Sequence, residues 1–204
     1  LADRRAYHHG NLREALVEAT VALIEEKGPL AFTLAEAARQ AGVSAAAPYR
    51  HFKGRDELLE EVARQGFDEF ADRLAAAFAD GRPNPLAAFM RVGEAYLAFA
   101  RERPGHYMAM FEGGLSIAGN VELTRTSNRA RQVLLDAAEQ LSARLPPEAR
   151  PPARMMADHI FALAHGVVEL FLRGRPGGRS PIPASEMLES GVLIYLRGLG
   201  LIDG

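Results

Sequence analysis

Tyr49, His51, Lys53 and Arg55 place a phenol, an imidazole, an ammonium and a guanidinium within seven residues of chain. Each can donate a hydrogen bond to a phosphate oxygen, and two carry a fixed positive charge. Just before them stand Ala45, Ala46 and Ala47, whose small side chains let a backbone come close to base edges or thymine methyls. The two hydroxyls of Thr33 and Ser44 lie upstream. No Asp or Glu occurs between Glu36 and Asp56, whereas Arg39, Arg50, Lys53 and Arg55 all do. A second basic cluster, Arg4, Arg5, His8, His9 and Arg13, opens the chain. The net charge is only -2, so attraction for a polyanion is local rather than a property of the whole chain. A basic run alone would also describe the solvated face of an ordinary helical bundle. What favours nucleic acid is the order of the elements around these residues.

Other chemistry is poorly supplied. His165 and Glu169 are four residues apart and share a helix face, as metal ligands can, with Asp158 and His159 about two turns earlier. One such pair is a weak signal, and a hydrogen-bonded core histidine is the favoured reading. There is no Walker loop, no Gly-x-Ser-x-Gly elbow and no dinucleotide fingerprint, and Gly177-Gly178 lacks the Lys-Ser or Lys-Thr of a phosphate loop. The chain has no cysteine, which excludes disulfides and thiolate sites. The expectation is therefore no catalytic residue, no metal and no cofactor. A helical metal-dependent enzyme is the alternative, and titration with zinc or cobalt discriminates the two.

Two short helices must position the donors. Thr33-Leu34-Ala35-Glu36 has the form of a capping box, with Phe32 before it to fix the approach of the chain. Leu34, Ala37, Ala38 and Ala41 give that helix one small apolar face. Gly42 accepts the left-handed conformation that ends it, and Val43 can turn inward. Ser44 is expected to cap a second helix over residues 45–52, with Pro48 tolerated in its first turn and Phe52 anchoring it to the core. Capped helices about a glycine turn make a helix-turn-helix.

At these residues the chain resembles the TetR family of bacterial transcription regulators. The likeness covers residues 12–67: a first helix ending at Lys27-Gly28, the Thr33 helix, the Gly42-Val43-Ser44 turn, Tyr49-Arg50-His51-Phe52, and Lys53-Gly54-Arg55-Asp56-Glu57-Leu58-Leu59, which opens a long helix in that family. Tyr7-His8-His9-Gly10-Asn11-Leu12-Arg13 resembles a subgroup that carries Trp-His-Gly in a late helix, where this chain has Ala164-His165-Gly166. Ala46 stands where glycine is frequent, and Arg50 where a second aromatic is common. The resemblance implies DNA contacts from Thr33, Ser44, Ala45, Ala46, Tyr49, His51 and Arg55, to which the charge and position of Lys53 add one more. It also implies a homodimer, a palindromic double-stranded operator, repression, and release when a small molecule binds the C-terminal part.

The rest of the chain reads as helix without any strand pattern, so the expected fold is all-α. An N-terminal three-helix DNA-binding domain takes residues 1–66, and a helical ligand-binding and dimerisation domain takes residues 67–204. Hydrophobic content of 48% suffices for a core. The boundary falls inside a long helix opening at Asp56-Glu57, which would join the two parts mechanically. Aromatic and polar residues of the middle helices are candidates for an apolar effector site: Phe67, Phe70, Phe89, Tyr96, Phe99, His106, Tyr107, Phe111 and His165. The same stripe is expected of plain core. Leu163, Val167, Leu170, Phe171, Leu188, Val192, Leu193, Tyr195 and Leu196 of the last two helices could form a four-helix homodimer interface, with Gly166 and Gly191 allowing close approach. The polar, basic start has no signal-peptide core, and no apolar stretch approaches the ~20 residues that span a bilayer. A cytoplasmic protein without a membrane partner is expected. A non-DNA-binding interaction protein on the same fold is the remaining alternative, which the intact basic tip disfavours.

Overall fold

The computed structural model describes residues 12–173 and 181–203. The basic head at Arg4, Arg5, His8 and His9 and the loop residues 174–180 lie outside the described residues. Those described are all-α, with eight α-helices: α1 (Leu12–Lys27), α2 (Leu34–Gln40), α3 (Arg55–Phe78), α4 (Pro85–Glu102), α5 (Pro104–Phe111), α6 (Val121–Ser142), α7 (Ala153–Val167) and α8 (Ala184–Gly198).

Contacts group the chain into two compact units. One holds the residues up to Phe67 together with Arg103–Thr126; the other holds Asp68–Glu102 and Ser127 onward. The first unit thus recruits a segment far away in sequence. α5 packs on α1, where the Gly105 amide donates to the Glu25 carboxylate at 3.2 Å. A Cβ on Gly105 would stand 2.9 Å from the Val21 carbonyl oxygen, so only glycine fits this approach. The core of this unit buries Leu16, Ile24, Phe32, Ala37, Phe52, Leu58 and Val62.

In the second unit α4 packs with α7 and α8, around buried Phe70, Leu74, Tyr96, Phe99, Leu141 and Leu196. Phe70 meets Tyr96 edge-on with ring centroids 5.0 Å apart, a favoured aromatic geometry. α7 does not stop at Val167 but runs on as a π-helical turn over Val168–Leu172. The resulting helix Ala153–Leu172 has 20 residues and contains an 18-residue window of mean hydropathy 1.4. This corrects the expectation that no apolar stretch approaches bilayer length. Arg154, Asp158 and Glu169 interrupt the run in sequence, while the continuous helix joins its apolar pieces.

The last two helices also revise the expected interface. Val167, Leu188, Val192 and Leu196 are buried within the chain's own core. Gly191 serves α8 against α7, since a Cβ there would meet Leu163 at 3.1 Å. Of the expected set, Leu170 is exposed and Leu163, Phe171, Leu193 and Tyr195 are half-buried; Met155 and Ile194, outside that set, are exposed as well.

Candidate nucleic-acid interface

Thr33 adopts an extended conformation and caps α2. The Glu36 amide donates to the Thr33 hydroxyl at 3.2 Å, and the Thr33 amide donates to the Glu36 carboxylate at 2.8 Å. Lys27, in the last turn of α1, adds an ammonium 2.6 Å from the other Glu36 oxygen. Hydrogen bonds from Lys27 and Thr33 hold the Glu36 carboxyl down to about 2. The α1–α2 corner is thereby fixed by polar contacts as well as by buried Phe32.

α2 ends at Gly42, whose φ of +74° few other residues tolerate. The Gly42 amide donates to the Arg39 carbonyl at 3.1 Å and the Val43 amide to the Ala38 carbonyl at 2.9 Å. These are the paired bonds of a Schellman motif.

The expected second α-helix over 45–52 is a single 3-10 turn, Ala47–Arg50. Ser44 is not its side-chain cap: the Ser44 carbonyl accepts from the Ala47 amide at 3.0 Å, and the turn has no side-chain cap bond. Pro48 explains the short element. Proline has no amide to give to an α-helical ladder. Its buried ring seats the turn, while its carbonyl accepts from the His51 and Phe52 amides at 2.9 and 3.0 Å. Phe52 is buried as anticipated, only 1% exposed.

Pinned at Pro48 and Phe52, the segment turns everything else outward. Ser44, Ala45, Ala46, Tyr49, Arg50, His51 and Lys53 are exposed, as are Thr33, Arg39 and Gln40. Tyr49 is 65% exposed, unusual for so large a ring without a partner. The structure thus gathers Thr33, Ser44, Ala45, Ala46, Tyr49, His51 and Lys53 in the exposed part of one motif.

Arg55 is placed differently. Its Nε donates to the Phe32 carbonyl at 3.2 Å, a second nitrogen donates to the Pro29 carbonyl, and a third pairs with Asp56 at 2.7 Å. Its guanidinium lies over the Phe32 ring, 4.8 Å from the centroid. Arg13 is similarly engaged, 3.0 Å from Glu61 and over the Phe52 ring. Glu61 is the hub sequence reasoning missed. Its burial opposes ionisation, but donors from Arg64, Gln65 and Arg13 outweigh this and hold its carboxyl down to about 2. The i,i+3 spacing to Arg64 was a signal; Arg13, 48 residues away, gave none.

The nine candidate ligand residues fall into two groups. Phe67, His106, Tyr107 and Phe111 belong to the first unit, with Phe111 5.8 Å from Phe67 and 4.8 Å from Tyr107 by ring centroid. Phe70, Phe89, Tyr96, Phe99 and His165 belong to the second. There the Tyr96 hydroxyl and His165 Nδ1 are 3.2 Å apart, and Phe161 stacks on His165. The void beside Tyr96 is about 10 Å³, room for one water at most. A larger cleft of about 430 Å³ in the second unit uses only Phe89 of the nine. Of the His165 and Glu169 pair, Glu169 is engaged by Arg173 at 3.3 Å. Among the described residues no three His, Asp or Glu group as metal ligands would.

A capped helix, a Schellman turn and a proline-seated, acid-free tip define a helix-turn-helix DNA-binding protein. Residues 16–62 match the family model described as bacterial regulatory proteins, tetR family, and residues 89–194 match the tetracyclin repressor-like C-terminal domain. The chain belongs to the TetR family of transcription regulators, which are DNA-binding proteins and not enzymes. It is 29% identical over 191 residues to the HTH-type transcriptional regulator BetI of Brucella suis, covering 91% of this chain and 92% of that one. A solved Rhodococcus protein of unknown function superposes with a TM-score of 0.79 at 26% identity, covering 95% and 98% of the two chains. PfmR of Thermus thermophilus, a TetR family regulator, superposes at 0.70 with 21% identity over 89% and 97%, a likeness of fold.

Proposed function

We propose that this regulator is a homodimeric, effector-released repressor acting in the cytoplasm, where its operator DNA lies. The observation that carries the reading is the outward tip, whose Tyr49, Arg50, His51 and Lys53 are exposed and free of neighbouring acids in sequence. In this reading Tyr49, His51, Lys53 and Thr33 contact phosphates, and Ala45 and Ala46 with Ser44 approach base edges. Arg55 contributes by holding the loop at Pro29 and Phe32 rather than by touching DNA.

The homodimer forms through the exposed stripe of α7 and α8, centred on Met155, Leu170 and Ile194. A two-fold dimer presents two tips to half-sites about 34–36 Å apart, which makes the operator a palindrome. The functional division places DNA binding in residues 1–66 and effector binding and dimerisation in residues 67–204. A small, largely apolar effector binds one conformation better than the other and shifts the population away from the docking state. The second unit supplies the aromatic surroundings, and α3, which contributes residues to both units, carries the change.

In vitro selection of genomic fragments by the purified protein at physiological salt tests this reading. A shared palindrome supports it. Salt-sensitive binding without a common sequence would reduce the tip to a non-specific electrostatic face and remove the operator claim.

A further inference from the structure

Two phenylalanines bracket the DNA-binding motif: Phe32 stands directly before its cap Thr33, and Phe52 directly after His51. Both are buried, 2% and 1% exposed. Each carries an arginine guanidinium on its ring, Arg55 at 4.8 Å from the Phe32 centroid and Arg13 at 5.1 Å from the Phe52 centroid, within cation–π reach. Neither arginine belongs to the motif. Arg55 opens α3, and Arg13 lies in the first turn of α1. Side chains from the helices around the motif thus hold it at both ends.

Arg13 is itself oriented. Its two terminal nitrogens meet the two oxygens of Glu61 on α3, at 3.0 and 3.2 Å. Such a fork fixes the plane of a guanidinium, which an ammonium would leave free. The Glu61 side chain is only 7% exposed, and Arg64 and Gln65 donate to the same carboxylate at 2.7 and 2.9 Å. A chain of contacts runs from Glu61 through Arg13 to Phe52. From Phe52 it reaches the tip, since the Phe52 and His51 amides both donate to the Pro48 carbonyl. Tyr49, Arg50 and His51 lie between those two buried anchors. By type and place Arg13 belongs with the basic residues that open the chain, yet both of its terminal nitrogens are committed to Glu61.

We propose that Arg13, oriented by Glu61, is a positioning residue for operator recognition: it does not touch DNA, and by seating Phe52 it sets how Tyr49 and His51 meet the duplex. The proposal rests on the reading of the tip as the DNA contact, and it adds what holds the tip in place. Specific docking needs two tips aligned on two half-sites, whereas non-specific attraction needs only exposed charge. Loosening Phe52 therefore weakens the first and spares the second.

The test compares Arg13→Gln, Phe52→Leu and the double variant of the full chain, titrated with a selected operator and with a scrambled duplex over a range of salt. Circular dichroism at the titration temperature first establishes that each is folded. If Arg13→Gln is not, Arg13→Lys takes its place, since it keeps a charge beside Glu61 but not the planar fork. Arg13→Gln is expected to lose about tenfold in operator affinity, the scale of one mismatched base pair, with the salt slope and the scrambled-duplex affinity unchanged. The double variant should lose no more than the worse single one, because both substitutions act through one stack. A salt slope lowered by about two, with both duplexes bound more weakly, would make Arg13 a phosphate ligand and overturn the proposal. Unchanged operator affinity in the folded variant, or additive losses in the double one, overturns it as well. A Tyr49→Ala, His51→Ala control separates the two readings. If that control also keeps its operator affinity, the tip reading fails; if it alone loses affinity, the tip reading stands and the positioning role of Arg13 fails.

Discussion

Arg55 has the charge and the chain position of a phosphate ligand, yet its three donor nitrogens are engaged by Phe32, Pro29 and Asp56. Lys53, two residues earlier, is exposed. The two should therefore separate experimentally. Arg55→Ala is expected to destabilise the fold by about 1–3 kcal/mol in urea titrations, because it orphans two carbonyls and uncovers a ring. Lys53→Ala should leave stability within about 0.5 kcal/mol and lower the salt slope of operator binding by about two, one per half-site of the dimer. The reverse pattern would make Arg55 the phosphate contact. Acid sensitivity also belongs at this scale. Glu36 and Glu61 have folded-state values of about 2 against an ordinary 4.5. Their contribution is fully present above the ordinary carboxylate range and is lost as pH falls from about 4.5 through about 2. Glu61→Gln should flatten the fall in unfolding free energy over that window; an unchanged profile would show that the Arg13–Glu61–Arg64 cluster is not coupled to folding.

The elements were legible where their determinants are local. The capping box at Thr33 and Glu36 and the left-handed turn at Gly42 depend on residues within a few positions of each other, and both are present. Gly42 has open space around a would-be Cβ, so Gly42→Ala should cost only the left-handed strain, about 1–2 kcal/mol, and Gly42→Asn less. Equal thermal stability of the alanine variant would mean the turn can rearrange. The second element is a 3-10 turn rather than the expected α-helix because the buried Pro48 ring anchors it and the Pro48 carbonyl takes the His51 and Phe52 amides. Ser44 has the residue type of a cap, but it is its backbone carbonyl that accepts from the Ala47 amide. Of the candidate site, exposure of the tip followed from sequence, since small and polar residues surround one phenylalanine anchor. The Arg13–Glu61 and Arg55–Phe32 contacts did not, because no local pattern reports a pairing across 23 or 48 residues.

At the scale of the molecule, the recruitment of α5 to the first unit was invisible in sequence: Gly105 and Glu25 are 80 residues apart. The nine aromatic and histidine candidates consequently divide between two units instead of forming one stripe. The surface left by α7 and α8 supports a specific expectation. A Leu170→Asp, Ile194→Asp chain should sediment as a monomer and bind a palindromic operator far more weakly, while each chain keeps its helicity. A dimer that persists would move the interface elsewhere. The most direct test of the account is the affinity of a Tyr49→Ala, His51→Ala chain for a selected operator at physiological salt. The account predicts a loss of about a hundredfold with unchanged circular dichroism, from two charge-assisted or polar contacts per half-site. Undiminished affinity in that folded variant would contradict it, and DNA recognition would then have to be sought away from the tip.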